Sequence, residues 1–109
     1  MDFENAKAQM RKGVLEFCIL SILSKGDAYA TDILNRLKES ELIVVEGTLY
    51  PLLSRQKNAG VLSYRWEEST QGPPRKYYAL TEKGKEVLKE LEISWNQLIE
   101  AVDSIMKNN

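Results

Sequence analysis

The chain has no histidine and a single cysteine, Cys18, among its 109 residues. Without histidine the usual general base and the commonest metal ligand are missing, so His-dependent triads and most zinc sites are excluded. A lone cysteine forbids an intramolecular disulfide. Its place in the apolar run from Val14 to Leu23 makes it a small buried hydrophobe rather than a reactive thiol. No stretch approaches the roughly 20 apolar residues that span a bilayer. The acidic start, Met1-Asp2-Phe3-Glu4, lacks the basic-then-apolar pattern of a secretory signal. The expectation is therefore a soluble, cytoplasmic protein with no membrane partner, no metal and no cofactor. No convergent pair of carboxylates, lysines or tyrosines stands out, which leaves an enzyme as the least supported class.

An excess of either sign of charge is also lacking, with a formal net charge of -1. Its distribution is more informative than its sum. Residues 46–80 carry Arg55, Lys57, Arg65, Arg75 and Lys76 against Glu46, Glu67 and Glu68, a surplus of two positive charges, whereas residues 81–109 carry four lysines against six acids. The chain is modestly polarised, with its basic part in the middle.

The pattern that remains is one compact domain with an added helix. Apolar residues at helical spacing predict a first helix from Lys7 to Lys25, greasy on more than one side, and a second from Tyr29 to Ser40 with Asp27 as its cap. Leu42 to Val45 reads equally as a short strand or as a hydrophobic connection. A third helix is expected over Glu46 to Ala59, ended by Gly60. Pro51 sits comfortably only if Thr48 caps that helix; a helix already running from Glu46 would loosen there. Val61 to Glu67 alternates as a half-buried strand with Leu62, Tyr64 and Trp66 on one face. Glu68 to Pro74 is turn chemistry, a long exposed tip, and Arg75 to Leu80 returns as the second strand, with Tyr78 inward and Tyr77 outward.

Thr81 caps a final helix in which Leu88, Leu91, Trp95, Leu98, Val102 and Ile105 recur at spacings of 3, 4, 3, 4 and 3. This heptad seam predicts pairing of two copies. The fold class is thus mainly α with a small β-hairpin: a winged helix-turn-helix over residues 1–80, whose first helix also touches a partner subunit, and a long C-terminal dimerisation helix over 81–109. In such a fold the third helix enters the major groove of double-stranded DNA, and Thr48, Tyr50, Ser54 and Arg55 lie near its N-terminal part. Topology alone leaves open an alternative, a winged-helix adaptor that binds protein and has no affinity for DNA.

The strings Glu46-Gly47-Thr48-Leu49-Tyr50-Pro51-Leu52-Leu53, Gly60-Val61-Leu62, Gly72-Pro73-Pro74-Arg75-Lys76-Tyr77-Tyr78 and Leu80-Thr81-Glu82-Lys83-Gly84 resemble the PadR family of bacterial transcription regulators, and its small subfamily in having a single C-terminal helix. The resemblance implies a homodimeric repressor of an inverted-repeat operator, released by a small molecule. It carries Tyr29, Thr48, Tyr50, Pro51, Arg75, Lys76 and Tyr77 over as DNA-binding positions. Glu67 and Glu68 beside the wing are expected to repel phosphate. Trp95, walled by Met10, Val14 and Phe17, is the candidate to stack on a small aromatic effector, and as a bare interface anchor it needs no ligand at all.

Overall fold

In a computed structural model that describes residues 2–42 and 44–108, the chain builds four helices and three strands. Helix α1 spans Phe3–Ser24, and its first turn is fixed by Asp2, whose carboxylate accepts from the backbone N–H groups of Glu4 and Asn5. The helix therefore begins four residues before the expected Lys7, because an aspartate cap outweighs the polar composition of the first turn.

A two-residue strand, β1 (Ala28–Tyr29), follows and leads directly into α2 (Ala30–Glu39). Asp27 is not the cap of α2. It accepts instead from Arg65 at 3.0 Å, while the Asp32 carboxylate takes the Tyr29 N–H at 3.0 Å. Beyond α2, Glu41 adopts the left-handed region (φ 64°), and the Leu42 N–H reaches back to the Leu37 carbonyl.

Residues Leu42, Val44 and Val45 form a connection and not a strand, and Ile43 lies outside the described residues. Helix α3 spans Glu46–Asn58, with Val45 rather than Thr48 in the cap position. The N–H groups of Thr48 and Leu49 both turn to the Val45 carbonyl. Pro51 consequently lies inside the helix, where the acceptor it leaves unmatched is the carbonyl of Gly47, four residues back.

Strands β2 (Leu62–Ser69) and β3 (Gly72–Leu80) make the wing, and the sheet order is β1-β3-β2. The turn is only Thr70-Gln71, far shorter than the tip expected from Glu68 to Pro74. Both prolines belong to β3, and an irregularity in register between Glu67/Arg75 and Ser69/Gly72 absorbs them. Tyr78 is buried, as its place in the alternation predicts, and Tyr77 is half-buried against Tyr29 rather than fully exposed.

The core lies where α1, α2 and α3 meet the inner face of the sheet, around Ile19, Ile33, Leu37, Leu49, Leu53 and Leu62. Each such side chain stabilises the fold by about 1.5–3 kcal/mol through removal from water. Gln56 is the one buried polar residue among those described, and its Nε2 donates to the Glu16 carbonyl at 3.1 Å.

Helix α4 (Glu82–Lys107) starts inside this core and leaves it. Leu88, expected on the partner seam, is 6% exposed and packs in the protomer's own core, and Leu91 is half-buried against it; from Glu92 to Asn108 every residue is exposed. The projecting half-helix gives a Cα radius of gyration of 16.0 Å, against about 13 Å for a compact chain of this length.

The junction between the wing and α4 is tight. Thr81 donates its hydroxyl to the Gly60 carbonyl at 2.7 Å, accepts from the Gly84 N–H at 3.0 Å, and sends its own N–H to the Val61 carbonyl at 3.2 Å. Lys83 places its amine on the Ala59 carbonyl at 2.8 Å. Gly84 faces the Val61 carbonyl so closely that an added Cβ would lie 2.1 Å from that oxygen. Both parties are backbone, so neither yields without moving a whole element. Gly84→Ala is expected to destabilise the fold by about 3 kcal/mol; a urea midpoint equal to that of the unaltered protein would refute this account of the junction.

Candidate nucleic-acid interface

The outer stripe of α3 is uncovered. Leu49, Leu53 and Gln56 are buried beneath it and Leu52 is half-buried, which turns Gly47, Thr48, Tyr50, Pro51 and Ser54 to solvent. The helix has an apolar lower face and a small polar or aromatic upper one, as expected of an element that docks in a groove of matching width.

The wing meets this stripe across a concave groove of about 290 Å³, lined by Tyr29, Ala30 and Thr31 at the start of α2, Tyr50 of α3, and Trp66, Pro74, Arg75, Lys76 and Tyr78 of the wing. Four of the sequence-predicted positions, Tyr29, Tyr50, Arg75 and Lys76, are thereby brought together from three elements.

The cations are held by rings. The Arg75 guanidinium lies 3.9 Å from the centre of the Tyr29 ring, and the Lys76 amine lies 4.6 Å from Tyr64 and 5.6 Å from Trp66. Neither cation has a carboxylate within ion-pair distance among the described residues. A planar guanidinium resting on a ring keeps its N–H edges free for phosphate oxygens.

On the outer face of the sheet the arrangement continues. The Tyr29 and Tyr77 rings meet at a tilt with centres 4.7 Å apart, and Arg65 lies over Tyr77 at 4.6 Å while pairing with both Asp27 and Glu67. Tyr77 supports Tyr29 from behind and does not line the groove. Glu67 is neutralised by Arg65, which reduces the repulsion expected beside the wing. Burial pushes the Tyr78 phenol up, and the nearby Tyr50 and Tyr64 push it further, so its hydroxyl stays protonated at neutral pH. Burial likewise raises the Cys18 thiol, in keeping with an inert packing role.

Other predicted positions fall elsewhere. Arg55 reaches back to Glu16 of α1 in an ion pair, so it sits at the base of α3 and must leave a carboxylate to meet phosphate. Thr48 lines a different groove, of about 470 Å³, with Arg11, Lys12, Val44, Val45 and Leu52. Sequence reasoning missed Trp66 and Thr31. The alternation that set Trp66 on the inner face was correct, but the core ends below it, and Trp66 is 61% exposed at the point where the wing projects. Thr31 carried no signal beyond its closeness to a helix start.

A second concave region lies between α1 and α4. It measures about 510 Å³ and is lined by Met10, Arg11, Val14, Trp95, Leu98, Ile99, Val102 and Asp103. Met10, Val14 and Trp95 thus share one groove as the sequence suggested. Phe17 does not line it but packs against Trp95, ring centres 6.1 Å apart.

Comparison with known proteins agrees with this geometry. The model of the Transcriptional regulator PadR-like family matches residues 19–90. A PadR-like transcription factor from Bacteroides fragilis, solved by X-ray crystallography, is 64% identical, covers 93% of this chain and 98% of its own, and superposes with a TM-score of 0.79. A PadR family regulator from Eggerthella lenta is 31% identical with a TM-score of 0.90 over 98% of this chain and 94% of its own. A PadR-like regulator from Bacillus cereus is 37% identical with a TM-score of 0.81 over 93% and 99%. An uncharacterised protein of Lysinibacillus sphaericus is 30% identical over 105 residues, 93% of this chain and 95% of its own. The matched region holds α2, α3, the wing and the first turns of α4, the same elements that form the α3–wing surface, and the chain belongs to the PadR-like family of transcriptional regulators.

Proposed function

We propose that the protein is a homodimeric, DNA-binding repressor that reads an inverted-repeat operator and is released by a small apolar or aromatic effector. The observation that carries the reading is the uncovered stripe of α3 beside a wing whose Arg75 and Lys76 are free of carboxylates. In this reading α3 enters the major groove with Thr48, Tyr50, Pro51 and Ser54 foremost. Arg75 and Lys76 take backbone phosphates at its margin, with Tyr29 and Tyr77 holding Arg75 in place. The two recognition helices of a dimer then occupy successive major grooves, about 34–36 Å apart.

Pairing of two copies follows from α4. Trp95, Leu98, Ile99, Val102 and Ile105 are all exposed on its projecting half, a greater apolar surface than a lone helix keeps in water. A second copy covers it, with the apolar side of α1 as the other wall. Trp95 stands where an effector entering the α1/α4 groove would separate the two copies and change the distance between their readers. No observation favours the adaptor reading, which predicts no retardation of random duplex even at low salt.

Arg75→Ala and Tyr50→Ala are each expected to weaken operator binding by about 1–3 kcal/mol with the fold intact, and Arg75→Ala should also lower the slope of log K against log salt by about one. Unchanged affinity in both variants, measured on the DNA upstream of the protein's own gene, would remove these contacts from the reading. Val102→Glu should yield a folded monomer by sedimentation, and persistence of the dimer would place the interface elsewhere. Trp95→Ala is expected to change dimer stability or effector response while the footprinted sequence stays the same.

A further inference from the structure

We propose that the protein reads its operator through the C5-methyl groups of thymine, with the rings of Tyr50 and Pro51 as the contacting surfaces, and not through paired hydrogen bonds to guanine or adenine. The inference rests on the reading of α3 as the helix in the major groove and adds which chemical mark of a base pair that helix selects.

The major groove shows two kinds of mark. Guanine and adenine each offer two polar atoms that one long side chain takes together, Arg or Lys on guanine and Asn or Gln on adenine, whereas thymine offers a methyl group that attracts apolar surface. Every side chain of α3 able to take two polar atoms stands away from the first two turns of the exposed stripe. Arg55 lies seven residues from Thr48 on the flank that faces α1, where it pairs with Glu16. Gln56 is buried with its amide on the Glu16 carbonyl. Lys57 lies on the wing flank, its amine 5.9 Å from the centre of the Tyr64 ring. Asn58 is the last residue of the helix, about 12 Å along the axis from Tyr50, and it is the N-terminal part of such a helix that meets base edges. Glu46, the only acid of α3, precedes Leu49 by three residues and Leu53 by seven, so it continues their buried row and not the stripe.

The stripe presents Gly47, Tyr50, Pro51 and Ser54 in these turns. Gly47 has no side chain. The Ser54 hydroxyl donates or accepts with equal ease, so it does not tell one base pair from another. Two rings on adjacent residues remain, with Tyr50 44% exposed. A proline inside a helix forfeits a hydrogen bond, here the one to the Gly47 carbonyl, so helix stability does not account for Pro51 on the exposed row. A saturated ring beside an aromatic one is a surface for methyl groups. Each methyl removed from water strengthens binding about fourfold, and selectivity therefore accumulates over several thymines in two half-sites.

Selection by the intact protein from random duplex libraries, each long enough for two half-sites, tests the inference. One library contains thymine, a second has uracil in its place, and a third has uracil together with 5-methylcytosine, which moves the methyl from A·T to G·C pairs. The thymine library should yield half-sites with T·A pairs at their centre, and the third should yield 5-methylcytosine where thymine stood. The best thymine duplex should lose about fourfold in affinity for each contacted thymine replaced by uracil. That loss should shrink in Pro51→Ala, which regains a helix hydrogen bond, and in Tyr50→Ala. An effect of uracil on duplex stiffness survives in both variants and so is told apart from a contact. The same half-site from all three libraries, or an undiminished uracil effect in both variants, overturns methyl reading by these rings while leaving the protein a DNA reader. Retention of no library even at low salt removes the DNA-binding reading with it.

Discussion

The close approach of the Gly84 backbone to the Val61 carbonyl sets the geometry on which the other parts depend. One residue without a side chain allows the first turn of α4 to rest on the base of the wing, and Thr81 and Lys83 fasten it to the carbonyls that close α3. Three elements end or begin at this point. Helix α3 ends at Asn58 and is followed by Gly60, whose positive φ of 81° suits glycine, the wing leaves at Leu62 and returns at Leu80, and α4 departs. The direction of α4 is therefore fixed relative to α3 by backbone contacts and not by a flexible linker. In the proposed dimer, a rigid joint of this kind would turn a change between two copies of α4 into a change in spacing between two copies of α3.

The reading surface itself is economical. Its cations are few, and part of the basic surplus of residues 46–80 is spent within the fold: Arg55 on Glu16, and Arg65 on Asp27 and Glu67. What remains without a carboxylate partner among the described residues is Lys57 on α3 and Arg75 and Lys76 on the wing, each near an aromatic ring. A surface with two unpaired wing cations gains little from phosphate alone, and strong binding then needs two sites engaged at once through the dimer. A similar division appears in α4, whose first turns pack in the core and whose remainder stands exposed and, in the proposed dimer, would meet the second copy.

Much of the fold was legible because its signals are local and periodic. The heptad in α4, the alternation in β2 and the glycine after α3 each act within a few residues, and each predicted its element. Long-range partners were not legible. Asp27 has the composition of a cap, but its carboxylate goes to Arg65, 38 residues away. Strand β1 has two residues and no period to detect; it exists because Tyr77 and Tyr78 offer it an edge. Helix α2 ends within one residue of the expected Ser40, although the left-handed residue that follows it is Glu41 and not a glycine. Tyr50, Arg75 and Lys76, singled out from motif and residue type, share one groove in the fold. The exposure of Trp66 depends on where the core stops along the sheet, and that is decided by helices distant in sequence.

The paired prolines of the wing bear on a different matter. Strand β3 has β2 on one side along its length, but β1 covers only Tyr77 and Tyr78 on the other, which leaves the segment from Gly72 to Lys76 as an open sheet edge. Successive backbone N–H groups in a strand point to opposite edges, so Pro73 and Pro74 remove a donor from each. The register irregularity accommodates the loss on the β2 side. On the open side it denies a foothold to any strand that would extend the sheet. The wing thus carries a barrier to sheet-to-sheet aggregation, which in the proposed dimer would leave the exposed apolar part of α4 as the surface for association.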